Sequence, residues 1–253
     1  MDDVTFFRVM RGEDNPGHLV DKSLLHGAQP VVEMASDPSD MRDNYPLLYG
    51  VVRGMRAKRV LEIGVHDGTS TMALLKAVAE VGGHLVSIDE AEVPVARALA
   101  DQFGTAGSWT LLRGNSHTLL PEMVARGEKF DAAFVDGDHS FEGARQDVAD
   151  VERMLNVGGV LLTHDNTMMV DNVDNEKPFG HRGQAACGFL GREMVVGATI
   201  WSGVFFPFGR GLGVWRRKAD MLAEIEAETD RMRGLGWWPA VGGGSAVDGG
   251  GSK

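Results

Sequence analysis

The sequence predicts an α/β domain whose mostly parallel sheet is covered by helices on both faces and ends in an antiparallel hairpin. Three observations predict it. From Arg59 onward, short apolar runs alternate with helical stretches of roughly 10–15 residues, the rhythm of successive βαβ units. The first strand runs into a glycine-punctuated turn, Gly64 to Gly68, that opens directly into a helix. The last two apolar runs are separated only by Pro207-Phe208-Gly209-Arg210-Gly211, a spacing that reads as a hairpin.

The elements follow in order. Val60-Leu61-Glu62-Ile63-Gly64 reads as the first strand and Thr69 to Val81 as its helix. His84 to Asp89 is a short apolar strand ending in an acid, followed by a helix from Val93 to Phe103. Trp109 to Leu112, the helix His117 to Arg126, the buried strand Phe130 to Asp136 and the helix Phe141 to Leu155 continue the pattern. Gly158 to Asp165 is the fifth strand. Thr199 to Phe206 and Leu212 to Arg217 form the hairpin, and a charged amphipathic helix spans about Ala219 to Arg233. Three regions are expected: an N-terminal helical accessory segment (1–57), the main domain (58–240) and a flexible Gly/Ser tail (241–253). In the first, Tyr45, Leu47, Leu48, Val51, Val52 and Met55 have helical spacing, for a helix covering a site, an interface or the sheet edge.

Composition narrows the class. The chain has 253 residues, 43% of them hydrophobic, enough for one sizeable core. A net charge of −11 argues against nucleic acid as a partner. The one cysteine, Cys187, allows no internal disulfide and reads as a buried thiol. The acidic N-terminus does not look like a signal peptide, and no apolar run approaches the ~20 residues of a membrane-spanning helix. A soluble, cytoplasmic protein with no membrane partner is expected. The N-terminal segment and Trp237-Trp238 are compatible with a homo-oligomer.

The glycine turn is the first candidate site. Its spacing is G-x-x-x-G rather than the G-x-G-x-x-G of dinucleotide folds, and Glu62 precedes it. At the mouth of the turn a carboxylate would suit an amine-bearing ligand and repel a pyrophosphate. Gly64 allows the tight turn, and Gly68 allows close ligand approach to the helix start. Asp89 ends the second strand, where a carboxylate can accept two ribose hydroxyls. Gly114-Asn115-Ser116 ends the third, where a short polar side chain can read an adenine edge. Structural roles remain open for each: turn glycines, or a helix cap at Asp89.

The run VLEIGVHDGTS, the acid in SIDE, then FVDGDH and LLTHDN resemble the class I methyltransferases that use S-adenosylmethionine (SAM). The resemblance covers about residues 58–217 and implies a Rossmann-like, seven-stranded sheet. It also implies SAM contacts from Glu62, Gly64, Gly68, Thr69, Ser70, Asp89, Asn115, Ser116 and Asp136.

A second candidate lies at the ends of the fourth and fifth strands. Neighbouring strand ends are ~5 Å apart, so Asp136 can converge with Asp165 and Asn166. Two carboxylates and an amide oxygen suit Mg²⁺, and the sequence shows no sulfur set or paired histidines to favour zinc. The pattern is similar to the metal-dependent O-methyltransferases of the catechol and caffeoyl-CoA type, and more so to the macrocin and mycinose-type sugar enzymes of antibiotic pathways. The resemblance implies Mg²⁺ on Asp136, Asp165 and Asn166 and a base at His139. Asn166 stands where some sugar enzymes carry a second acid. Helix capping by Asp138 and His139, an Asx turn at Asp165-Asn166 and a core-facing His164 are the structural alternatives.

The segment 167–191 follows the metal pair and reads as an acceptor loop, with His181, Arg182 and Gln184 as polar contacts and Met168, Met169 and Phe179 as an apolar wall. The resemblance implies a hydroxylated small-molecule acceptor, a sugar or polyketide of secondary metabolism. Three rivals are a metal-independent SAM methyltransferase, a nucleotide-dependent oxidoreductase, and a non-catalytic SAM-binding or cephalosporin hydroxylase-like protein.

Overall fold

The computed structural model describes residues 44–165, 201–206 and 211–235. Asn166, the loop 167–191 with Cys187, Trp237-Trp238, the tail 241–253 and most of the N-terminal segment lie outside them.

Helix α1 (Tyr45–Gly54) is followed by β1 (Arg59–Ile63), α2 (Thr69–Val81), β2 (His84–Asp89), α3 (Pro94–Gln102), β3 (Trp109–Arg113) and α4 (Ser116–Ala125). Then come β4 (Phe130–Val135), α5 (Phe141–Met154), β5 (Leu155–Thr163), β6 (Trp201–Phe206), β7 (Leu212–Arg217) and α6 (Lys218–Gly234). The seven strands form one sheet in the order β3-β2-β1-β4-β5-β7-β6. The first five are parallel, and β7 pairs antiparallel with both β5 and β6. The mixed seven-stranded α/β fold expected from the sequence is the fold observed.

The strands read as nearly continuous apolar runs because both sheet faces are buried. Alternate residues go to opposite sides. Val60, Leu85, Ala132, Phe134, Val160 and Leu162 pack under α1, α2 and α3. Leu61, Ile63, Val86, Ala133, Val135 and Leu161 pack under α4 and α5. Helix α1 belongs to the first layer: Tyr45, Leu48, Tyr49 and Val52 are buried there. Tyr49 Oη and Arg53 Nε both donate to Glu80 on α2, each at 2.6 Å.

The start of β5 shifts for a physical reason. The fifth strand starts at Leu155, earlier than Gly158, and its register against β4 slips between Phe130 and Ala132. Gly158, at φ +77°, sits within this irregular stretch, and Asn156 Nδ2 donates to Asp131 Oδ1 at 2.8 Å to close it. At the other end, Ser140 caps α5 by accepting from the Gly143 amide.

From β1 the chain winds one way through β2 and β3, then returns to place β4 on the other side of β1. The carboxyl ends of β1 and β4 therefore part at a topological switch point, where open α/β sheets form a ligand crevice.

Candidate functional site

The crevice is built from the turns after β1, β2, β3 and β4. Gly64 has φ +87°, and a Cβ there would lie 2.1 Å from the Asp136 carbonyl oxygen. Glycine is thus required for the two turns to meet. Gly68 has φ +83°, and its Cβ would lie 2.4 Å from Ala96 Cβ. Its smallness lets the start of α2 pack on α3, a second demand beyond any ligand approach.

Asp89 fixes this turn. Its Oδ2 accepts from the amides of Val65 (2.9 Å) and His66 (3.0 Å), and its Oδ1 from Ala91 (2.8 Å). A carboxylate has about four acceptor positions, so capacity remains for a ribose hydroxyl. Asn115 is the N-cap of α4, its Oδ1 accepting from the His117 amide at 2.8 Å while its Nδ2 donates to Glu90 at 2.5 Å. Ser116 opens that helix beside it.

Glu62 is not at the mouth of the turn. Strand alternation turns its side chain into the core on the α2 side, where it is fully buried. Ser70 donates to it at 2.8 Å, Ser87 at 2.6 Å, and Thr71 to both oxygens at 3.0 and 2.9 Å. Burial pushes the carboxyl up to about 7 in spite of these hydroxyls. Ser70 therefore also faces inward, toward Glu62, while Thr69 begins α2 at the crevice.

At the β4 and β5 ends, Asp136, His139 and Asp165 converge, each offering a ligand atom within 4.8 Å of the others. His139 Nε2 lies 3.3 Å from an oxygen of each carboxylate. His164 Nδ1 lies 3.3 Å from Asp136 and 3.5 Å from Asp165. The expected absence of paired histidines is corrected by this geometry; His164 is buried, as the core-facing alternative has it, with its Nδ1 turned to the two carboxylates. The backbone supplies the reason: Asp165 has φ +57°, which breaks strand alternation and lets both His164 and Asp165 reach Asp136.

The charges are coupled. Burial alone would raise Asp136, but His164 and His139 beside it hold its carboxyl well below the usual range. In return the hydrogen bond to Asp136, opposed by burial and aided by Asp165, raises the His139 imidazole. Two carboxylates this close, with imidazole nitrogens alongside, fit a divalent cation. The oxygens suit Mg²⁺, and the nitrogens extend the set toward Mn²⁺ and later first-row ions.

Sequence reasoning passed over the buried Asp147 and its neighbour His117. No sequence signal marked Asp147, which sits on the apolar side of a charged helix.

A protein-family model described as a methyltransferase domain matches residues 61–166. An O-methyltransferase from Aspergillus hancockii is 24% identical over 55% of this chain and 54% of its own length. A caffeoyl-CoA O-methyltransferase from Populus kitakamiensis is 27% identical over 49% of this chain and 54% of its own. The chain thus spans about half the length of the curated relatives it matches. The crystal structure of a Bacillus cereus O-methyltransferase with S-adenosylhomocysteine (SAH) superposes with a TM-score of 0.60 at 20% identity, covering 79% of this chain and 93% of that one. No helix among the described residues is long and apolar enough to cross a membrane. The strand order 3-2-1-4-5-7-6 and the glycine turn at its switch point accompany these matches: over residues 61–166 the chain is similar to a methyltransferase domain, and the relatives it matches are O-methyltransferases.

Proposed function

We propose that the protein transfers the SAM methyl group to a hydroxyl oxygen of a small molecule, with a divalent cation held by Asp136 and Asp165. The observation that carries this reading is the convergence of Asp136, His139 and Asp165 beside the glycine turn at the switch point. Asn166, next in sequence to Asp165, is proposed as a further oxygen ligand. Glycines 64 and 68, Thr69, Asp89, Asn115 and Ser116 line the turns that would receive SAM, while Glu62 and Ser70 act from beneath.

A divalent cation held by Asp136 and Asp165 would supply Lewis acidity that lowers the pKa of the acceptor hydroxyl. His139 is the proton acceptor: the acceptor oxygen forms its bond to the methyl carbon, the sulfonium releases SAH, and the hydroxyl proton passes to the imidazole. In the free protein the two carboxylates hold that imidazole toward its protonated form. A cation held by Asp136 and Asp165 would relieve this and leave the ring free to accept.

The acceptor class, a hydroxylated secondary metabolite such as a sugar or polyketide, rests on the resemblance to sugar O-methyltransferases. Isotope-labelled SAM incubated with a hydroxylated acceptor panel, with Mg²⁺ or Mn²⁺ and with chelator, tests the reading. Label transfer to oxygen that is lost on chelation supports it. Transfer indifferent to chelator would favour the metal-independent alternative.

A further inference from the structure

Asp147, on α5, is fully buried and has no part in the chemistry above. Its Oδ1 lies 3.5 Å from Nε2 of His117 in the first turn of α4. The same nitrogen lies 3.8 Å from Asp138 Oδ2 in the turn after β4. Asp147 Oδ2 sits over Gly137, so close that a Cβ there would be 3.3 Å away. One carboxylate thus touches both turns that flank the crevice on the α4–α5 side. All three atoms are buried without a hydrogen bond of full geometry, and the Ser116 hydroxyl and the Asp138 backbone lie close enough to act on the carboxylate. Buried polar atoms left this way are costly, so the arrangement needs a reason. Burial pushes the carboxyl up to about 6, against the nearby Ser116 hydroxyl and His117.

We propose that Asp147 and His117 are a positioning pair that sets the spacing between the Asn115–His117 turn and the Gly137–Asp138 turn, and through it the affinity for the nucleoside half of SAM. The inference rests on the methyltransferase reading. A 3.5 Å separation exceeds a normal hydrogen bond by about 0.5 Å. Closing it draws the first turn of α4 onto α5, and the Asn115 cap carries the movement to the crevice wall. A nucleoside lodged between the two turns and a closed pair therefore favour each other.

The test uses the full chain and SAH as probe. Asp147→Asn and His117→Gln should each weaken SAH binding by roughly tenfold, and the double variant by little more than either. In turnover, the KM for SAM should rise while kcat changes little. Mn²⁺ binding should stay near wild type, and the melting temperature of Asp147→Asn at pH 8 should not fall, because the raised carboxyl pKa means the ionised group is not stabilising there. SAH affinity within about twofold of wild type in both variants overturns the proposal, as does an equal loss of SAH and Mn²⁺ binding. If Asp147→Asn does not fold, the half-buried His117→Gln decides alone. Failure of the wild-type chain to bind SAH overturns the methyltransferase reading itself, whereas normal wild-type binding with unaffected variants overturns only the pair.

Discussion

Replacing Glu62 by Gln tests how the first strand is wired to the glycine turn and the helix it opens. The carboxyl is fully buried, and its pKa rises from 4.5 to about 7 because burial outweighs the hydroxyls of Ser87, Ser70 and Thr71. The folded state therefore holds the proton more tightly than the unfolded chain does. Stability from this group is fully present below pH ~4.5 and is lost as pH rises through about 7. At ~1.4 kcal/mol per pH unit, the interval from 4.5 to about 7 corresponds to about 3 kcal/mol, most of it lost between pH 5 and pH 8. A glutamine keeps the shape and cannot ionise, and the three hydroxyls can rotate to meet its amide. Urea unfolding of both proteins at several pH values between 5 and 9 isolates the effect, since groups other than Glu62 cancel in the difference. The wild type should lose about 2–3 kcal/mol relative to Glu62→Gln across that range. A difference that does not change with pH, or that grows in favour of the wild type at alkaline pH, refutes the reasoning.

Other consequences are equally direct. Gly68→Ala drives a Cβ to 2.4 Å from Ala96 at a left-handed φ, and should destabilise the fold by about 2–4 kcal/mol in denaturant titration; an unchanged midpoint contradicts the packing described. Asp136→Asn should weaken Mn²⁺ binding at least about tenfold by calorimetry. The same variant removes the first cause of the raised His139 pKa, so the imidazole midpoint in NMR titration should move down; an upward or absent shift contradicts the coupling. His139→Ala should lower turnover by roughly 10²–10⁴-fold, and near-normal turnover across about pH 6–9 removes it as the base.

Much of the fold was legible because its signals are local. Thr69 to Val81 and His84 to Asp89 coincide with the observed α2 and β2, since a glycine bounds the helix at each end and buried apolar runs define the strand. The beginning of β5 was not legible, because the register slip near Asn156 depends on pairing with β4 rather than on its own composition. At the site, Asp136 and Asp165 follow from the rule that strand ends face one crevice. The inward turn of Glu62 follows from simple alternation along β1, yet the glycine motif beside it drew attention to the mouth. His164 needed the positive φ of Asp165, which no residue type announces. Asp147 lies on the buried side of α5 amid charged neighbours, and only the fold shows that it spans two turns.

The proposed function requires the crevice at the β1/β4 switch point to take SAM and a divalent cation together. Calorimetric titration of SAH into chelator-treated protein, repeated with Mg²⁺ and with Mn²⁺ and with NAD as control ligand, tests it most directly. The account predicts micromolar SAH binding, separate binding of the cation that Asp136→Asn weakens, and no NAD binding. Absence of SAH binding in every condition, or binding of NAD in its place, contradicts it.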